Sequence, residues 1–201
     1  MVKADCGGCN GCSRCCHGMG NSIILDPYDV YRMTTGMGKS MQELLAASVE
    51  LNVVDGVILP NLKMQGAEEA CAYLDGRGRC SIHPYRPGIC RLFPLGRYYE
   101  NGGFSYFLQT GECAKENRSK IKVSKWIDTP DLTRNQQFTL QWHDLLHAME
   151  ERLTGEDEGK QREENLLLLR LFYLLPYEGT IDFYTQFTER MEHWNGQNGQ
   201  I

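Results

Sequence analysis

Nine cysteines are the residues of this chain whose spacing points most directly to chemistry. Five of them lie close together near the start of the sequence, as Cys6-x2-Cys9-x2-Cys12-x2-Cys15-Cys16. The other four follow at Cys71, Cys80, Cys90 and Cys113. Thiolates two residues apart converge on one point when a soft metal ion or an iron–sulfur cluster holds them there. The spacing therefore predicts a metal centre.

The first group of cysteines needs ligands from the second group. A C-x2-C-x2-C run can place three sulfurs on three corners of a cubane, and ferredoxins take the fourth ligand from a distant position. We expect eight metal ligands: Cys9, Cys12, Cys15, Cys16, Cys71, Cys80, Cys90 and Cys113. Eight thiolates fit two four-cysteine centres, and Cys6 is then the spare thiol.

Two further features concern the surroundings of the metal. Adjacent side chains of an extended backbone point to opposite sides, so we expect Cys15 and Cys16 to serve two centres, or two edges of a larger one. Arg86 and Arg91 lie close to Cys80 and Cys90 in sequence. Guanidinium groups stabilise an anionic thiolate centre and raise its reduction potential. We therefore predict that Arg86 and Arg91 contact the cofactor.

The spacing favours iron over zinc. Structural zinc sites usually pair two CxxC knuckles. Here overlapping triplets are followed by gaps of 8, 9 and 22 residues between the later cysteines, which fits that arrangement less well. We expect one or two iron–sulfur clusters of the 4Fe–4S type, with zinc as the alternative. No residue pattern compels a particular reaction, so no catalytic residue is predicted.

The elements that must position these cysteines divide the chain into two regions. Residues 1–127 hold all the cysteines, and residues 128–201 form a helical layer. Capping residues predict helices over about 27–34 and 40–51, turn residues predict hairpins over 53–64 and 92–109, and apolar periodicity predicts helices over about 131–153, 165–175 and 181–194. We expect an α+β fold, mostly helical with small β-hairpins, in which the metal-stabilised part packs on the helices within one unit.

Charge and hydropathy exclude two classes of partner. The net charge of −5 leaves no basic nucleic-acid footprint. No stretch approaches the roughly 18–20 apolar residues of a membrane span, and no apolar leader follows Met1. We expect a cytoplasmic protein, where reduced thiols usually bind metal or carry out redox chemistry. The basic run from Lys115 to Lys125 reads as solvated surface, with a docking patch for an acidic partner as the alternative.

The cysteine motifs also resemble those of a known family. The CxxCxxCC cysteine-cluster proteins, a YkgJ-like family described as a putative zinc- or iron-chelating domain, are similar in two stretches: Cys9-x2-Cys12-x2-Cys15-Cys16 and Gly78-x-Cys80-Ser81-Ile82-x2-Tyr85-Arg86-Pro87-x2-Cys90-Arg91-x-Phe93-Pro94. The likeness covers roughly residues 9–113, and Cys71 and Cys113 look like the flanking cysteines of the family. The resemblance implies a metal centre.

Three functions follow as hypotheses. The first is a cluster-binding protein with a redox or cluster-dependent role and a redox or protein partner. The second is a zinc-stapled scaffold that binds another protein. The third is a protein-modifying enzyme that resembles flagellin lysine N-methylase, which shares the cysteine motif.

Overall fold

The computed structural model describes residues 1–5, 12–113, 115 and 117–198. Within these ranges the chain has seven α-helices and four two-stranded antiparallel sheets, which confirms the predicted, mostly helical α+β class. The helices are α1 (Pro27–Met37), α2 (Met41–Ala47), α3 (Gly88–Leu92), α4 (Val123–Ile127), α5 (Leu132–Leu153), α6 (Glu158–Leu169) and α7 (Phe183–Asn198).

The strands pair as four separate ribbons. They are β1 (Val2–Asp5) with β8 (Ser119–Ile121), β2 (Val49–Val54) with β3 (Val57–Leu62), β4 (Met64–Gln65) with β5 (Ala70–Cys71), and β6 (Leu95–Glu100) with β7 (Gly103–Leu108). Three of these ribbons join neighbouring strands. The β1–β8 ribbon instead connects the two ends of the cysteine-rich region.

Local capping defines the first two helices, as the sequence predicts. Asp26 and Asp29 exchange side-chain-to-backbone hydrogen bonds at the start of α1, and Ser40 and Glu43 do the same at the start of α2. Helix α1 extends to Met37 and ends at Gly38, whose φ of 63° is left-handed and suits glycine.

The hairpin β2–β3 begins inside the region predicted as helix. The sequence allows a turn at Asp55-Gly56 or at Pro60-Asn61, and the turn lies at Asp55-Gly56, where the φ angles are 51° and 82°. However, Val49 already pairs with Leu62, so α2 ends at Ala47 rather than near Leu51. The β-branched Val49 favours a strand, and its pairing outweighs the helical spacing of the apolar residues on which the prediction relied.

The larger hydrophobic core joins the cysteine-rich and the helical regions. It includes Leu25, Met33 and Leu62 from the first region together with Phe138 and Phe172 from the second. Two long-range hydrogen bonds link the same regions: the Tyr173 hydroxyl donates to the Leu25 carbonyl at 3.0 Å, and the Ile58 amide donates to Asn165 Oδ1 at 2.6 Å. Packing of the helices on the cysteine-rich region is therefore a structural fact, while a boundary at residue 127 stays a prediction.

A second, smaller core lies beside the first. Leu92, Leu95 and Ile127 form its centre. Side chains from β1, β7 and α4 pack around it: Val2, Tyr106, Leu108, Val123 and Trp126. The β1–β8 ribbon and α4 were not predicted, because pairing between positions as distant as Val2 and Ile121 leaves no local pattern.

In the helical region α5 agrees with its predicted bounds, whereas α6 begins earlier and α7 ends later than the apolar pattern predicts. Helix α6 begins at Glu158, where the Asp157 side chain accepts hydrogen bonds from the Gly159 and Lys160 amides. It continues as a π-helical turn, Arg170–Leu174. Of the helices in the described part of the chain, none combines the length and apolar character needed to cross a bilayer.

Candidate metal centre

Six cysteines from three separate segments line one cavity of about 360 Å³, here called the thiol cavity. The six are Cys12, Cys15, Cys16, Cys71, Cys80 and Cys90. Residues as far apart in sequence as Cys12 and Cys90 thus meet at one place. Every cysteine that the structure describes is a free thiol.

Backbone pairing brings the first segment to the second. His17 forms an isolated β-bridge with Ala70, and the Gly18 amide donates to the Glu69 carbonyl at 3.0 Å. Ala70 is followed directly by Cys71 at the end of β5. The turn that carries Cys15 and Cys16 is therefore held beside Cys71.

The extended backbone that we assumed for Cys15 and Cys16 is wrong. Both lie in a 3-10 turn, Arg14–Cys16, and both side chains face the thiol cavity. The Cys16 thiol hydrogen-bonds the Cys15 sulfur, which lowers the pKa of Cys15 to about 6, and Arg86 adds to this effect. The same hydrogen bond, together with burial, raises the pKa of Cys16. Cys15 therefore loses its proton more readily than Cys16.

A tight turn returns the chain from Cys71 to Cys80. The Asp75 amide donates to the Arg79 carbonyl at 2.8 Å, and Leu74 forms a β-bridge with Cys80. Gly78 within this turn has a φ of 70°, a backbone conformation that residues other than glycine rarely adopt. The eight residues between the two cysteines thus fold back so that both thiols reach the cavity.

Cys71 and Cys80 have the same local arrangement. The amide two residues further on donates to each sulfur, from Tyr73 to Cys71 and from Ile82 to Cys80. Burial raises the pKa of both thiols, and these amide bonds partly oppose it. Backbone N–H groups that point at sulfur stabilise a thiolate once a metal has displaced its proton.

The third segment places Cys90 on the short helix α3. The Gly88 amide at its first turn donates to Asp29 Oδ1 at 2.6 Å, which fixes α3 against α1. Burial raises the pKa of Cys90, and the charges of Asp29 and of the other thiols raise it further.

The two arginines predicted to contact the cofactor lie in different surroundings. Arg86 lines the thiol cavity, and its charge lowers the pKa of Cys15 and opposes the raised pKa of Cys80. Arg91 is not among the lining residues. It is buried beside Asp29, with 4.0 Å between Nη2 and Oδ1, and its Nε and Nη1 atoms have no hydrogen-bond partner. A cofactor-binding role of either arginine stays a prediction.

The other three cysteines are not among those named above as lining the thiol cavity, for two different reasons. Cys113 is not among the lining residues, although Gln109 and Glu112 are. Cys6 and Cys9 lie outside the described residues. The predicted ligand roles of Cys9 and Cys113, and the spare role of Cys6, stay predictions.

The rest of the thiol cavity is largely apolar, a feature that sequence spacing did not reveal. Ile82, Phe93, Leu95 and Trp126 belong to this wall. The Trp126 indole donates to the Leu92 and Phe93 carbonyls, both at 3.2 Å, which fixes the ring at the cavity. Trp126 lies 13 residues beyond the last cysteine, and no motif in the sequence connects it to the metal centre.

The donor set suits a thiolate-ligated metal centre. The charges of Cys15, Cys71, Cys80 and Cys90 act on one another, and clustered thiols are the ligands that zinc and iron–sulfur clusters prefer. Among the residues described, no three Cys, His, Asp or Glu side chains already have the mutual geometry of a metal site. Ligation would therefore require these side chains to turn toward a common point.

Comparison with protein families agrees with this chemistry. Residues 8–139 match the model of the CxxCxxCC family, described as a putative zinc- or iron-chelating domain. The match covers more than half of the 201 residues and extends past Cys113 into α5. The chain matches no curated protein and no solved structure.

Proposed function

Because the chain belongs to the CxxCxxCC family of putative zinc- or iron-chelating domains, we propose that its thiol cavity holds an iron–sulfur cluster used in a redox or cluster-dependent role. The observation that carries this proposal is that six cysteines from three segments line one cavity. A single zinc ion and a 4Fe–4S cluster each take four cysteine ligands, so either would leave two of the six thiols unused. We favour a 4Fe–4S cluster ligated by four of the six, because overlapping C-x2-C triplets fit paired zinc knuckles less well.

The charges around the thiol cavity support an anionic centre. Arg86 reaches Cys15 and Cys80 electrostatically, and no hydrogen bond or ion pair with another described residue competes for its guanidinium. Thiolates without a compensating cation destabilise a partly buried site. Arg86 therefore offsets the charge that the thiolates acquire when they lose their protons to a metal.

The apolar wall supports a redox role. An iron–sulfur cluster supplies one-electron transfer when bound, and the polarity and solvent exposure of its surroundings set the reduction potential. Phe93 and Trp126 limit the access of water on their side of the cavity. The amides of Tyr73 and Ile82 point at two of the sulfurs, and such hydrogen bonds raise the potential.

Anaerobic purification followed by iron, sulfide and zinc analysis tests the proposal. We expect brown protein with about four iron and four sulfide per chain, and an EPR signal after reduction. Colourless protein that contains zinc and no sulfide would overturn the iron–sulfur proposal and leave the zinc scaffold.

Two cysteine variants connect that result to the thiol cavity. We expect Cys80→Ser to lose most of the iron, whereas Cys113→Ser, whose thiol does not line the cavity, keeps it. Both substitutions exchange sulfur for oxygen at a partly buried position, so each controls for the other. Full iron in Cys80→Ser would exclude Cys80 from the four ligands, and loss of iron in Cys113→Ser would add Cys113 to them.

A further inference from the structure

Four lysines form a basic strip on the β1–β8 ribbon and α4. They are Lys3, Lys120, Lys122 and Lys125, and all four are exposed. They are half of the eight lysines of a chain whose net charge is −5. The basic strip is thus a local patch of positive charge on an otherwise acidic protein.

The register of the ribbon leaves this charge uncompensated. Lys3 lies directly opposite Lys120 in the antiparallel pair, and like charges at opposed positions destabilise a sheet. No ion pair among the described residues involves any of the four lysines. The fold therefore accepts a repulsion that a negatively charged partner would relieve.

The basic strip borders the thiol cavity. Lys125 precedes Trp126, which lines that cavity and packs in the second core together with Val2 of β1. Lys122 is the residue before α4. Lys125, at the α4 end of the basic strip, thus lies next to a residue of the cavity wall.

From this placement we infer that the basic strip docks the acidic surface of a partner protein beside the thiol cavity. Lysine ammonium groups are strongly hydrated point charges that do not impose a fixed bidentate geometry. Such charges steer encounter and increase the association rate more than they increase affinity. This chemistry suits a transient complex of the kind that redox partners form, which have small interfaces.

A protein partner fits this surface better than a nucleic acid or a membrane. The hairpin β6–β7 also packs on the second core, and it exposes Tyr98 (59%) and Phe107 (47%). Aromatic side chains are enriched where protein surfaces meet. A rigid polyanion would also face the acidic remainder of the chain, whereas a partner of limited size would contact only the strip.

Binding of a fluorescent poly-L-glutamate peptide at low salt tests the inference. We expect Lys120→Glu/Lys122→Glu/Lys125→Glu to weaken peptide binding by about tenfold or more. The matched control is Lys39→Glu/Arg162→Glu/Arg170→Glu, which changes the net charge equally at exposed positions away from the strip. The control should bind within about twofold of the parent chain, since steering depends on local charge. Equal weakening in both triple variants would overturn the inference.

Other ligands test the class of partner, and a neutral variant together with metal analysis distinguishes lost binding from misfolding. We expect a DNA duplex and phosphatidylserine vesicles to bind more weakly than the peptide, and tighter binding of either that the strip variant abolishes would overturn the protein assignment. The neutral variant Lys120→Gln/Lys122→Gln/Lys125→Gln should show a smaller loss than the charge reversal. Metal content is measured for every variant, so failure of the metal proposal is recognised separately.

Discussion

The two regions of this protein differ in how completely the buried nitrogen atoms of their arginines are hydrogen-bonded. In the helical region Arg190 is 5% exposed and donates to the Leu171, Leu175 and Pro176 carbonyls at 2.5, 3.0 and 2.9 Å. Its guanidinium also lies 3.6 Å from the centre of the Tyr177 ring. The end of the π-helical turn is thus closed by a side chain from α7.

In the cysteine-rich region several arginines have buried guanidinium nitrogen atoms without a hydrogen-bond partner. Arg91 has two such nitrogen atoms without a hydrogen-bond partner, and Arg32, Arg97 and Arg118 have one each. In the described part of the helical region no arginine has such a nitrogen atom. The buried polar atom without a hydrogen-bond partner there is the hydroxyl oxygen of Tyr184, which is neutral. A buried N–H group without an acceptor is costly, so the cysteine-rich region contains hydrogen-bond donors that its described residues leave unsatisfied.

Removal of the metal should separate the two regions most clearly. Without it the thiols regain their protons and no longer connect the three cysteine segments. Metal binding contributes about 10–16 kcal/mol in small zinc peptides, so a fraction of that is enough for about hundredfold faster amide exchange in β4, β5 and α3. Helices α5–α7 should change much less. Hydrogen exchange with mass spectrometry, before and after anaerobic chelation, measures both regions in one sample.

Restoring the metal is the control for this experiment. Protection of α3 and β5 should return when iron and sulfide, or zinc, are added back. If chelation leaves both regions equally protected, the cysteine-rich region is stable on its own packing.

Matched substitutions of the two buried arginines should give the next largest difference. Arg190→Met leaves three carbonyls without a donor, so we expect it to lower the free energy of unfolding by about 3–4 kcal/mol. Arg91→Met removes one long contact to Asp29, which keeps its hydrogen bonds from the Asp26 and Gly88 amides. We expect this change to cost about 1–2 kcal/mol. Urea denaturation under anaerobic conditions measures both.

The metal content of these variants extends the comparison. Arg190 lies in the helical region, so Arg190→Met should keep the metal of the parent chain as long as it is folded. If Arg91→Met costs as much free energy as Arg190→Met, Arg91 is fully paired in solution and the contrast between the regions is wrong.

Much of the fold was predictable because its signals are local. The capping pairs Asp26/Asp29 and Ser40/Glu43, and the turns at Asp55-Gly56 and Asn101-Gly102, lie within a few residues of the elements they define. The β1–β8 ribbon was missed because its partners are more than a hundred residues apart. The end of α2 was misplaced for a related reason, since the pairing of Val49 with Leu62 is not visible in the local helical periodicity.

The same distinction between local and long-range signals applies to the candidate site. Cysteine spacing predicted which thiols to consider, because ligand chemistry restricts residue type. It did not predict that Cys15 and Cys16 would face one cavity, since this depends on a 3-10 turn held by the β-bridge between His17 and Ala70. Nor did it predict Asp29, whose contact with Gly88 positions the helix that carries Cys90.

The ion pair Arg134–Asp182 is exposed to solvent, and we expect it to contribute little to the free energy of unfolding. Arg134 Nη2 lies 2.6 Å from Asp182 Oδ2, but both side chains are more than 40% exposed. Partial burial alone would raise the pKa of Asp182, yet hydrogen bonds from Arg134 and Thr185 outweigh it and the pKa lies below its ordinary value. After allowance for solvent screening, we expect Asp182→Asn to cost roughly 0.5 kcal/mol.

The sign of its pH dependence follows from the lowered pKa of Asp182. A carboxylate with a lowered pKa stabilises the fold above its unfolded pKa of about 3.9, and this contribution is lost as the pH falls through the folded value. The parent chain and Asp182→Asn should therefore differ at neutral pH and converge toward about pH 3, in urea denaturation across that range. Arg134→Gln and the double variant complete the thermodynamic cycle. A cost above about 2 kcal/mol would exceed what exposed pairs contribute, and would mean that the helical region depends on its surface charges as well as on its buried ones.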